Sequence, residues 1–169
     1  MPARFALAVV LLAAVPTAAA ASTPDQRYSL SVARICAGAL LFEHPHAIGT
    51  DAGVRAAARD IRRSARRRLA RVAAVPAPRE LTRLVHRWIS LQRRLSESYA
   101  RNWLRIHSAI DAARTPSQRA RLPAVLQRFV HAPDALRRAS RRVELALTVP
   151  DCTGGDPPPM TPPVGAAPA

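Results

Sequence analysis

The sequence predicts an all-α fold, a single domain resembling a four-helix bundle. Three observations carry that expectation. Helix-start signals recur along the chain, apolar residues return at spacings of three and four between them, and no alternating strand pattern of useful length intervenes.

The elements follow in order. The chain opens MPARFALAVVLLAAVPTAAAAS, with Arg4, an unbroken apolar run from Phe5 to Val15, Pro16, and small residues in Ala-x-Ala patterns before Ser22. This is the layout of a cleavable secretory signal peptide over residues 1–21. The run is too short to cross a bilayer, which takes about 20 apolar residues, and no second run of such length follows. The mature chain is therefore expected to carry no transmembrane segment and to be secreted or held in the cell envelope, periplasmic or extracellular. Residues 22–152 are expected to form the helical domain.

Within it, Thr23-Pro24-Asp25-Gln26 is a capping box with proline at N1, which predicts a first helix over about 24–43. Thr50 is the cap of a second, over about 51–74. Pro78 opens a third, over about 78–113, and Thr115-Pro116-Ser117-Gln118 repeats the capping box for a last helix over about 116–148. Pro123 and Pro133 must kink or split that last helix. Beyond Cys152 the tail TGGDPPPMTPPVGAAPA lacks arginine and periodicity, so residues 153–169 are expected to be disordered or polyproline-like.

Charge is the most conspicuous compositional feature. The chain of 169 residues has 26 basic side chains, all arginine, against 11 acids, a formal charge of +15. Arginine offers a planar fork suited to phosphate and carboxylate. An excess of Ala, Pro and Leu accompanies it, as GC-rich coding produces, so the preference for arginine over lysine carries little functional information. Net charge bears on association with polyanions rather than on fold.

The densest run is RDIRRSARRRLARV, Arg59 to Val72. On that helix Val54, Ala58, Ile61, Ala65, Leu69 and Val72 form one apolar stripe. Arg55, Arg59, Arg62 and Arg66 lie on one side of the opposite face, and Arg63, Arg67 and Arg71 on the other. Arg68 falls inside the apolar arc, one heptad from Ile61, where an unpaired guanidinium would be costly. It is expected to snorkel or to meet Glu43, Glu97 or Glu144. These eight arginines are the candidate anion-binding residues. Arg83, Arg87, Arg94, Arg101 and Arg105 form a second basic stripe on the third helix, whose apolar face includes Trp88 and Trp103. A third group is Arg137, Arg138, Arg141 and Arg142, offset by Asp134 and Glu144.

Cys36 and Cys152 are the two cysteines of the chain. In an exported protein an even pair reads as a disulfide. In an up-down-up-down bundle, however, the last helix ends near the start of the first, whereas Cys36 lies about twelve residues into it. Either the last helix stops early or the chain beyond it folds back.

Signatures of catalysis are sparse. There is no CxxCH, no Walker loop and no GxGxxG, and no cofactor is expected. Glu43-His44-Pro45-His46 holds one Glu-x-x-His, whereas a di-metal bundle needs two, and its proline breaks the required helix. His44, His46 and Asp51 are read as a polar connection rather than a metal site. His86, His107 and His131 are scattered, without a Ser or Cys at a spacing that suggests a triad. The sequence leans away from an enzyme. Nucleic acid is disfavoured as a partner by the export signal and by aromatics that sit on apolar faces. The reading that remains is an exported, non-enzymatic envelope or extracellular module whose arginine-rich faces contact an anionic polymer or surface. The alternative is an enzyme or small-anion binder with an arginine-lined pocket inside the bundle.

Overall fold

A computed structural model describes residues 22–37, 39, 46 and 49–152. Both the signal-peptide expectation and the tail expectation lie outside those residues. The described chain is all-α and bundle-like, without a strand. It comprises α1 (Pro24–Cys36), α2 (Asp51–Ala73), α3 (Thr82–Ala112), α4 (Pro116–His131) and α5 (Asp134–Leu147), with a 3₁₀ turn at Arg79–Leu81 leading into α3.

The caps are where the sequence places them. Thr23 Oγ1 accepts from the Gln26 amide at 3.2 Å while Gln26 Oε1 accepts from the Thr23 amide at 2.9 Å. Thr115 and Gln118 repeat the box with distances of 3.2 and 3.0 Å. Thr50 Oγ1 accepts from the Gly53 amide at 3.1 Å. Each device satisfies amides that a helix start leaves without partners.

Two boundaries differ from expectation. α1 stops at Cys36 rather than near 43, because Ala37 turns to ψ 128. Gly38 follows in the sequence, and glycine costs about 1 kcal/mol inside a helix. The last helical region breaks at Ala132–Pro133 into α4 and α5, whereas α4 runs through Pro123 without ending. Pro123 is exposed, so the Arg119 carbonyl that loses its donor can turn to water.

α2 and α3 form the most extensive pairing, α5 packs on α3, α4 packs on α3, and α1 lies against α2. One core cluster joins Tyr28, Val32 and Cys36 of α1 to Val72, Trp88 and Leu147. A second joins Ala58 and Ile61 of α2 to Leu95, Tyr99 and Ala100 of α3. Trp88 is fully buried, as a core tryptophan should be, and Trp103 is half-buried against the His107 ring, 4.7 Å between centroids.

Cys36 and Cys152 form a disulfide with Cα atoms 4.8 Å apart, across 116 residues of sequence. The chain beyond the last helix does fold back. Ser29 Oγ donates to the Leu147 carbonyl at 3.0 Å, which sets the end of α5 beside the first half of α1. Thr148, at φ 52, turns the chain, and buried Val149 and Cys152 then run along α1. From Ser29 to Cys36 a helix advances about 10 Å. Five extended residues reach about 16 Å, so the strap from Leu147 to Cys152 covers that distance.

Candidate functional site

Helix geometry and one carboxylate decide where the arginines go. Arg62 Nε donates to Glu97 Oε2 at 2.8 Å, and Arg66 Nη2 donates to Glu97 Oε1 at 3.4 Å. Glu97 therefore bridges α2 to α3. At 100° per residue, Arg55, Arg59, Arg62 and Arg66 share about 60° of the α2 wheel. On α3, Arg94 and Arg101 lie one turn either side of Glu97, in line with Arg83, Arg87 and Arg105. The two stripes that the sequence keeps on separate helices are thus side by side on one face of the α2–α3 hairpin.

That face is poorly neutralised. Arg59, Arg94 and Arg101 on it are exposed, as are Arg63 and Arg71 on the other side of α2, and none of the five makes an ion pair or side-chain hydrogen bond among the described residues. Arg67 is exposed as well. Arg55 reaches Asp51 one turn away at 3.7 Å, both side chains more than half exposed, a pair of little energetic weight.

Asp60, the only acid in the densest run, does not serve that face. It is 5% exposed and its Oδ2 lies 3.1 Å from His46 Nε2. With Ser64 and Arg68 it makes a second, polar stripe on the buried half of α2. Its spacing of four was legible, but the surrounding arginines concealed it. Arg68 is buried at 8% exposure, as its heptad position requires. Of its three expected partners, Glu97 is engaged by Arg62 and Arg66, Glu144 by Trp88, Gln92, Ser140 and Arg141, and Glu43 lies outside the described residues.

The basic group on α5 is partly turned inward. Arg137 Nε donates to Tyr99 Oη at 3.2 Å and its Nη1 to Asp134 Oδ1 at 2.9 Å, with the guanidinium 5.9 Å from the Tyr99 ring centre. Arg138 and Arg142 are exposed. Glu144, expected to offset this group at the surface, is 3% exposed. Its Oε1 accepts from Gln92 Nε2 at 2.8 Å, Ser140 Oγ at 2.9 Å and Trp88 Nε1 at 3.4 Å. Arg141 Nη1 is 3.6 Å from Oε2. Burial pushes the Glu144 carboxyl above the ordinary carboxylate range, with nearby Asp151 adding to the rise, while donors from Ser140 and Trp88 and the Arg141 charge oppose it. Gln92 and Ser140 are the residues that pattern reading missed; their signal is polar side chains recurring on the apolar faces of α3 and α5.

Two cavities among the described residues are not lined by converging arginines. One of about 350 Å³ lies between α1 and the segment 75–78, lined by Pro24, Arg27, Tyr28 and Ser31 among others. Another of about 260 Å³, on the other side of that segment, is lined by Thr82, Val85, His86 and Ile89. His46 is engaged with Asp60, Asp51 with Arg55, and no group of three metal-ligating side chains occurs among the described residues. No helix among the described residues is long and apolar enough to cross a membrane. The chain matches no protein-family model, no curated protein and no solved structure, so its function is read from its own residues.

Proposed function

We propose that the chain is an exported, non-enzymatic module that contacts an anionic polymer or envelope surface through the arginine face of α2 and α3. The observation that carries this reading is Glu97. It is the acid that faces both stripes where the two helices meet, and two arginines share it, while Asp51 at the start of α2 reaches Arg55 alone; Arg59, Arg94 and Arg101 around Glu97 therefore keep their charge for an outside partner. The disulfide supports an oxidising compartment. Of the eight candidate arginines on α2 only Arg68 is buried, which favours a surface over an internal pocket.

The test is binding of the purified chain to polyphosphate and to a sulfated polysaccharide across a range of salt. Binding should fall steeply with salt. R59Q/R63Q/R94Q/R101Q should weaken it at least tenfold, and E97Q, which removes the shared acid, should tighten it severalfold. No salt-sensitive binding near physiological ionic strength would refute the reading, as would an E97Q chain that binds more weakly.

A further inference from the structure

α4 is attached to the molecule unlike the other helices. None of its side chains is buried. Leu122, Val125, Leu126, Phe129 and Val130 occupy about 140° of its wheel, an apolar stripe of the usual width, yet all five remain half-exposed. The reason is that α3 is the one described helix against which α4 packs extensively. Arg121 and Arg128 flank one edge of the stripe, and Arg119, in the first turn, lies just inside its other edge between the positions of Leu126 and Val130; all three are exposed, and α4 contains no acid. Over residues 103–131, Asp111 is the only acid against five arginines.

Its tether is slight. Among the described residues, apart from the His131–Asp134 pair at the joint with α5, the side-chain hydrogen bond that ties α4 to another helix is Asn102 Nδ2 donating to the Phe129 carbonyl at 2.8 Å. The helix start is self-contained, because Thr115 and Gln118 cap it without help from the core. The Ala132–Pro133 joint already interrupts the helical ladder at the other end.

We propose that α4 is an interfacial helix that leaves α3 to lie on an anionic lipid bilayer. Leu122, Val125, Leu126, Phe129 and Val130 then enter the boundary between headgroups and acyl chains, and Arg119, Arg121 and Arg128 sit among the lipid phosphates. Charge and apolarity together select this occupant. A soluble polyanion would engage the arginines but bury none of the stripe. A second copy of the chain would set arginines against arginines. A bilayer with anionic headgroups takes both, and a basic amphipathic helix with an aromatic on its apolar face has the composition of such anchors.

The experiment uses the full chain carrying F129W, compared with the parent chain, and vesicles of phosphatidylcholine alone or mixed equally with phosphatidylglycerol. The added tryptophan should shift to the blue on the mixed vesicles and not on phosphatidylcholine alone. R119Q/R121Q/R128Q should weaken binding about 100-fold, since each basic residue near an anionic surface contributes about fivefold. N102A should tighten binding about fivefold, because it removes a net hydrogen bond from the docked state only. Far-UV circular dichroism confirms that each variant is folded. At saturating lipid R59Q/R63Q/R94Q/R101Q should keep the blue shift even where its affinity for the mixed vesicles falls, which separates insertion of α4 from charge contact by the face on α2 and α3. No shift on the mixed vesicles would overturn it. So would a shift that survives the triple substitution, one that the quadruple substitution abolishes, or an N102A chain of unchanged affinity.

Discussion

Glu144 shows how a single carboxylate can be both well held and costly to ionise. Three donors converge on one oxygen. They favour the charged form, but burial opposes it more strongly, and the carboxyl stays protonated above its ordinary value of 4.5. Where the folded state keeps a proton that the unfolded chain has released, rising pH destabilises the fold. Stability from this group should be fully present below about pH 4.5 and be lost as pH rises through the raised value. E144Q retains an acceptor for the same donors and cannot ionise. Denaturant unfolding from pH 4 to pH 8 should therefore show the parent chain losing stability relative to E144Q as pH rises. The opposite slope would mean that the donors and Arg141 outweigh burial. Sequence alone places Glu144 on α5 but cannot tell that α3 covers it. The same limit applies to Asp60, whose partner His46 lies in a different segment. Arg68 was legible because its burial follows from its own helix.

At the scale of elements, legibility follows the range of the forces that set each boundary. Helix starts depend on residues three apart, and the capping boxes at Thr23 and Thr115 are where the sequence puts them. Helix ends depend on what the chain meets next, so α1 was overextended past Cys36. The two prolines of the last region show the same contrast. Pro123 sits on an exposed turn and is absorbed, while buried Pro133 marks the joint between two helices with different neighbours. Absorption is not free, since proline inside a helix costs about 3 kcal/mol relative to alanine. P123A restores the amide that the Arg119 carbonyl lacks. Amide hydrogen exchange across α4 should slow by about tenfold or more, with α2 and α3 unaffected. Unchanged exchange would mean that α4 is governed by its contacts with α3 rather than by its own ladder.

For the whole molecule, the all-α class and the length of the chain were readable, and the neighbour relations were not. Spacing gives each helix a face, but only packing decides that the basic faces of α2 and α3 adjoin while that of α5 turns partly inward toward Tyr99. The pairing of Cys36 with Cys152 was readable because the chain has no other cysteine to choose. That bond also fixes how the protein bears load. Tension applied at the two ends of the chain enters through α1, crosses from Cys36 to Cys152, and leaves through the tail, so the 115 residues between them carry none of it. Of the described helices, α1 alone lies in the path of the force. Between Thr23 and Cys152 an oxidised molecule under tension should lengthen by the unravelling of that one helix. Adding a reductant should release roughly 390 Å more, at about 3.4 Å per residue. A large extension without reductant would show that the bond does not form in solution; with it in place, the bundle is mechanically bypassed.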